Sequence, residues 1–181
     1  MDRHILNNKV NIAALVPALK QGNPPAWERF VRYMSPRAIR YFCAHGVDSH
    51  TAEDLAQETF LRASKHIGQL RMSSRVVPWT YSIMRTTLLE WVDAEARMLR
   101  RDQADVDIES LPDRAVGREP ARNMRLLPGL DGLSHDDADL LHLRYVAEFS
   151  VAECARLTER SNSATRLRLW RLVSALKKSG E

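Results

Sequence analysis

The 181-residue sequence predicts an all-α protein, two small helical domains joined by a flexible linker, the C-terminal one carrying a helix-turn-helix. Three observations carry that expectation. Apolar residues recur at helical spacing on both sides of the chain's middle and never in sustained alternation. Only 7 Gly and 8 Pro occur, and they are scattered, too few for the turns of a hairpin-rich fold. Between the two periodic regions, Asp102 to Asn123 reads DQADVDIESLPDRAVGREPARN, where Pro112, Gly117 and Pro120 interrupt any helix. The expected organisation is a module over residues 1–101, an acidic linker over 102–123 and a second module over 124–181.

The elements follow in order. Trp27, Phe30, Val31 and Met34 stand at i, i+3, i+4 and i+7, and Pro36 starts or kinks a second stretch through Ile39 and Phe42. Asp48, Ser49 and Thr51 offer caps for a helix whose first turn is expected to hold Glu53 and Asp54, with Leu55, Thr59, Phe60 and Ala63 facing inward. From Pro78, a natural first helical residue, a long helix runs through Trp79, Ile83, Leu88, Trp91 and Val92 toward Arg100. In the second module, Ser134 with Asp137 opens a helix holding Ala138, Leu141 and Tyr145. Ser150 and Glu153 form a capping box before Cys154 and Leu157. Ser161 caps a last helix with Leu169, Leu172, Val173 and Leu176 on one face.

Composition excludes several classes. With 44% hydrophobic and 28% charged residues the chain can bury a core and is not a disordered tail. No window approaches the roughly 18 consecutive apolar residues of a membrane span. Asn7, Asn8, Lys9 and Asn11 break the N-terminal stretch, so neither export nor insertion is expected and the cytoplasm is the expected location. Cys43 and Cys154 are far apart inside apolar patterns, which suits buried free thiols in a reducing compartment. The net charge of +4 names no partner, but its distribution is uneven. The linker concentrates Asp102, Asp105, Asp107, Glu109 and Asp113, whereas residues 161–178 hold Arg166, Arg168, Arg171, Lys177 and Lys178 without an acid.

A short helix (Val151 to Leu157), a turn (Thr158 to Arg160) and a Ser-capped, Arg-rich helix form the layout of a helix-turn-helix. In such a unit the second helix enters the major groove. Ser161, Asn162, Ser163, Arg166 and Arg168 are then placed to reach bases or phosphates, and Arg171 and Lys177 to fix register on phosphates. A solvated basic face on an ordinary helical hairpin gives the same pattern.

The first module contains AEDLAQETFLRASKH (Ala52 to His66) and VVPWTYSIMRTTLLEWV (Val76 to Val92). With these blocks the chain resembles the extracytoplasmic-function (ECF) sigma factors, the compact branch of the bacterial sigma-70 group. Their D-L-x-Q-E-x-F-L-R-A core is met by Asp54, Leu55, Gln57, Glu58, Phe60, Leu61, Arg62 and Ala63. The next helix is similar to W-L-Y-x-I-x-R-N-x-x-x-D-W at Trp79, Tyr81, Ile83, Arg85, Glu90 and Trp91, with Thr86 where Asn is usual. The C-terminal block resembles the family's at Leu140, Leu141, Leu143, Arg144, Tyr145, Ser150, Glu153 and Ala155. The turn departs from the pattern: Thr158, Glu159 and Arg160 replace its apolar and Gly positions, and Glu159 stands where Gly takes a left-handed conformation without strain.

The resemblance implies a transcription initiation factor, not an enzyme, without a cofactor or small-molecule substrate. Asp54, Gln57, Glu58, Phe60 and Arg62 would dock on core RNA polymerase. Arg71, Ser73, Ser74, Arg75, Tyr81, Arg85 and Thr86 would grip the melted minus-ten element of promoter DNA, and Ser161, Asn162, Ser163, Arg166, Arg168 and Arg171 would read the minus-thirty-five element. The acidic linker would pass through the polymerase RNA exit path. An anti-sigma factor, in many cases membrane-anchored, would be the inhibitor.

Residue chemistry leaves some of this open. The charges at 54, 57, 58 and 62 lie on one helix face, which suits a charged coiled-coil partner and equally a solvated, salt-bridged surface. Trp79 reads as packing, whereas Tyr81 fits packing or base stacking. Two rival classes fit parts of the pattern. An enzyme would use Asp54 and Glu58 with His50 or His66 as metal ligands, or His135, Asp136, Asp137 and Asp139, but neither set matches a metal or nucleophile motif. A dimeric helix-turn-helix regulator would bind a palindromic duplex unaided, without core polymerase.

Overall fold

Short polar side chains start most of the helices, and they do so where the sequence offers an Asn, Asp or Ser ahead of an apolar period. The protein is described here from a computed structural model covering residues 11–104 and 133–179. Helix α1 (Ile12–Lys20) is capped by Asn11 and buries Ile12, Val16 and Leu19. Helix α2 (Pro24–Ala44) is capped by Asn23, with Pro at its first position, and buries Ala26, Phe30, Met34, Ala38, Tyr41 and Phe42. Pro36 does not start a separate helix, since α2 runs through it as one element. The apolar stripe continues past it against the neighbouring helices, and that burial offsets the lost N–H hydrogen bond.

Helix α3 (Ser49–His66) is capped by Asp48, whose side chain accepts from the backbone N–H groups of His50 and Thr51. The Thr51 hydroxyl first, with the Thr51 and His50 backbone N–H groups after it, holds the Asp48 carboxyl pKa below its usual value. Glu53 and Asp54 fall beyond the first turn, which holds no acid, so Asp48 rather than that pair answers the helix dipole. Ala52, Ala56 and Ala63 are buried and let α3 approach α2 closely. Phe60 meets Phe30 edge to face at 6.3 Å.

Two 3-10 turns, Ile67–Gln69 and Ser73–Arg75, lead to helix α4 (Val76–Ala104). The helix begins two residues before Pro78, where the absent N–H still belongs to the first turn and goes unmissed. It runs through Asp102 to Ala104, the first residues of the segment read as linker; Asp105, Asp107, Glu109 and Asp113 lie outside the described residues.

The second domain contains α5 (His135–Leu141), α6 (Val151–Leu157) and α7 (Asn162–Ser179). Ser134 caps α5, Ser150 and Glu153 form the expected capping box, and Ser161 accepts from the Ala164 N–H. A π turn, His142–Val146, widens the end of α5, so Tyr145 leaves the helical face expected for it and is exposed. Among the described residues there is no strand, and no helix is long and apolar enough to cross a membrane.

The two helical domains share one continuous core. Tyr41 and Tyr81 of the first domain belong to the same cluster as Leu140, Leu143, Phe149, Leu169 and Leu172 of the second. The Tyr81 and Phe149 rings meet edge to face at 5.1 Å, and α6 packs against α4.

Glu159 adopts φ 55 in the turn between α6 and α7, as expected of a side chain in a glycine position. Glu159→Gly is expected to stabilise the fold by about 0.5–1 kcal/mol in chemical unfolding, and Glu159→Val to destabilise it.

Candidate nucleic-acid interface

On α3, Asp54 and Gln57 are exposed, and Asp54 stands 3.5 Å from the His50 ring. Arg62 is committed within the fold: its Nε donates to Glu58 at 2.7 Å and its Nη1 to Glu90 of α4 at 2.5 Å. Those two carboxylates, Glu58 first, hold the guanidinium pKa above its ordinary value. The bridge stiffens the α3–α4 pair and presents it as one surface. Phe60 needs correction as a contact residue. Its ring is buried against Phe30, because position 60 belongs to the inward stripe of α3. Exposed Leu61 and Leu89, beside Arg62 and Glu90 in the chain, supply apolar area on the outside. Sequence reading missed both, although an exposed apolar residue next to a paired charge is the available signal.

The residues expected to hold the minus-ten strand divide into two sets. Arg71, Ser73, Ser74 and Arg75 are exposed on a loop anchored by buried Leu70 and Val76. Lys20 donates to the Leu70 carbonyl at 2.7 Å. Arg71 and Arg75 line a cavity of about 390 Å³ with Met72 and Trp79, and Glu153 and Arg156 of α6 close its far side. Trp79 is only partly buried, so its ring both packs and forms cavity wall.

Tyr81 and Arg85 point the other way. Tyr81 is buried between Tyr41 and Phe149, and burial lifts its hydroxyl pKa to about 12. This closes the question the sequence left open: in this arrangement Tyr81 packs. Arg85 donates to Asp139 at 3.0 Å and approaches Asp136 at 3.4 Å. Thr86 is exposed and bonds the Ser82 carbonyl at 3.1 Å.

On α7, Asn162, Ser163, Arg166 and Arg171 are exposed on the helix expected to enter the major groove. Ser161 spends its hydroxyl on the cap and on Ser163. Arg168 is held by both oxygens of Asp137, at 2.7 and 2.5 Å. Trp170 and Leu167, at i and i−3, are exposed large apolar residues, and Trp170 is one that sequence reading passed over. The acidic group of α5, weighed as a catalytic cluster, is fully engaged. Asp136 pairs with Arg160 and Arg85, Asp137 with Arg168, and Asp139 with Arg85.

Asp139 is the centre of the junction. It is 4% exposed, accepts from the Tyr41 hydroxyl at 2.8 Å and from Arg85, and lies 3.7 Å from His45 Nε2. Both donors come from the first domain. Burial, with Asp139 second, raises the Tyr41 pKa well above its ordinary value.

The described residues thus set an exposed basic loop in one helical domain and a helix, turn and basic helix in the other. The description "Sigma-70 region 2" matches residues 30–98. Curated relatives include the ECF RNA polymerase sigma factor BldN of Streptomyces coelicolor, 26% identical over 94% of this chain and 66% of its own length. The ECF RNA polymerase sigma factor SigM of Bacillus subtilis is 29% identical over 83% of this chain and 91% of its own. Among solved structures, the sigma factor RpoE of Bartonella quintana, in complex with the anti-sigma factor NepR, superposes with a TM-score of 0.65. It is 20% identical and covers 83% of this chain and 94% of that one, which is a likeness of fold. The chain is thus similar to ECF sigma factors along most of its length and carries a sigma-70 region 2 match in its first domain.

Removing the Asp139 charge tests the junction. Asp139→Ala strands Arg85 beside an apolar seam and is expected to cost about 3 kcal/mol in unfolding free energy, against about 1 kcal/mol for Tyr41→Phe. Asp137 has a depressed pKa, caused first by Arg168. Its contribution is therefore complete above the unfolded carboxylate range and is lost as pH falls through the lower folded value. Urea midpoints measured across that acidic window are expected to fall less steeply in Asp137→Asn than in the parent.

Proposed function

We propose that the chain is a bacterial transcription initiation factor that binds core RNA polymerase, directs it to specific promoters and helps melt the minus-ten element. The observation that carries this reading is the region-2 match over residues 30–98 falling on the exposed charged face of α3 and the exposed loop Arg71 to Arg75, with a helix-turn-helix in the same chain. Residues 1–101 form the polymerase- and minus-ten-binding unit, 102–123 the acidic linker and 124–181 the minus-thirty-five unit. The protein has no catalytic step of its own, works in the cytoplasm and is restrained by an anti-sigma factor, in keeping with the NepR complex of the Bartonella relative.

On α3, Asp54, Gln57, Glu58 and Arg62 meet the polymerase, with Phe60 holding the helix in place. A face of paired charges flanked by Leu61 and Leu89 suits a charged helical partner with an apolar seam. Arg71, Ser73, Ser74, Arg75 and Thr86 reach single-stranded DNA directly, because polar and cationic side chains beside Trp79 offer an unstacked base both a π surface and phosphate contacts. Arg85 joins them once Asp139 releases it. Asn162, Ser163, Arg166 and Arg171 read or anchor the duplex.

Purified chain and core polymerase are expected to initiate at discrete promoters on genomic templates, and the free chain to sediment as a monomer. A dimer that shifts a palindromic duplex without polymerase would overturn the reading. Asp54→Ala and Arg62→Ala are expected to weaken core polymerase binding by about tenfold. Arg166→Ala should lower promoter use by a similar factor with polymerase affinity intact. Unchanged polymerase affinity in the first two variants removes α3 from the docking surface.

A further inference from the structure

A second cavity, of about 370 Å³, lies on the seam between the two domains, and none of Arg71 to Arg75 lines it. Its polar lining consists of Tyr33, Arg37, Arg40, Tyr81, His142 and Glu148. Arg37 stacks 3.8 Å over the Tyr33 ring and donates once to the Tyr33 carbonyl at 2.7 Å, which leaves most of its donors unused. Neither Arg37 nor Arg40 is ion-paired among the described residues, in contrast to Arg62, Arg85, Arg160 and Arg168. His142 is 4% exposed, and neither ring nitrogen has a hydrogen-bond partner. Burial first, then His45 and Arg40, pushes its pKa down to about 3, so the ring is neutral and offers one N–H. A buried imidazole without a partner is costly, and here it lines a cavity beside two unpaired guanidiniums.

We propose that this cavity binds a small phosphorylated molecule. Arg37 and Arg40 hold the phosphoryl group, the buried His142 ring backs the cavity, and the remainder of the ligand fills the seam. Two planar guanidiniums suit the charge and the several acceptor oxygens of a phosphoryl group. The volume lies in the range of small-ligand sites. The first domain supplies Arg37, Arg40 and Tyr81, and the second supplies His142, Ala147 and Glu148, so walls on both sides suit a small molecule rather than a continuing nucleic-acid strand. An occupant touching both domains also favours the packed arrangement over one in which they separate. Glu148 is the single carboxylate in the lining and opposes an anion. The proposal stands on the cavity and is independent of the polymerase assignment.

The test uses the full chain, with inorganic pyrophosphate and adenosine monophosphate as probes in isothermal titration calorimetry and thermal unfolding. Saturable binding with a raised unfolding midpoint is expected for at least one probe. Arg40→Ala, an exposed change that the fold tolerates, should weaken it by about tenfold. Glu148→Gln should tighten it by about threefold by removing a like charge, an effect that a purely structural role for the seam does not produce. The proposal is overturned by no saturable binding of either probe, by affinities equal to the parent's in both variants, or by binding confined to single-stranded DNA.

Discussion

The arrangement of the molecule turns on one buried carboxylate. Asp139 sits in the second domain, almost without solvent, and the groups that satisfy it, the Tyr41 hydroxyl and the Arg85 guanidinium, come from helices α2 and α4 of the first. An ionised carboxylate out of water is tolerated only when donors surround it. The domains therefore meet in a register that delivers those donors, and the apolar contacts around them, Tyr81 against Phe149 and Tyr41 against His142, seal the site from water. The polar group selects the register, and the rings around it bury the area.

That joint has a consequence for charge. Helix α5 carries Asp136, Asp137 and Asp139 within one turn, and each faces an arginine from elsewhere: Arg160 after α6, Arg168 on α7 and Arg85 on α4. Three cations that the sequence offers as free are thus neutralised inside the chain. The net +4 accordingly leaves Arg71 and Arg75 on the loop, and Arg166, Arg171 and Lys177 on α7, as exposed cations among the candidate promoter contacts. A phosphate that recruits Arg85 or Arg168 has to displace a carboxylate already bonded to it. The net gain of that exchange is small compared with pairing a solvated arginine.

What was legible in the sequence is what is local. Asp48, Ser134, the Ser150 and Glu153 box and Ser161 all act as read, because a cap is decided by residues within one turn. Glu159 in a left-handed turn was also visible, since the position's backbone demand is local too. That Pro36 starts no new helix was not legible, because the stripe that carries α2 through it is completed by other helices. Phe60 and Tyr81 fell into contact sets because a family motif mixes residues that touch partners with residues that hold the helix, and only burial separates the two. The Tyr41–Asp139 bond spans 98 residues and leaves no trace in any window of the chain.

The same distinction explains why function was easier to reach than its geometry. The blocks in Ala52 to His66 and Val76 to Val92 carry the resemblance to a family because they keep their order and spacing, and spacing survives whichever way the domains turn. Orientation does not survive in that form. Whether Arg85 faces DNA or Asp139, and whether Trp79 closes a cavity with its own loop or with Glu153 and Arg156 of α6, depends on how the second domain packs on the first. The side chains that decide this, His142 and Phe149 in the second domain and Tyr41 in the first, look in sequence like ordinary helix and loop residues. Their significance comes from meeting across a seam, where a hydroxyl, a guanidinium and a carboxylate satisfy one another in the absence of water.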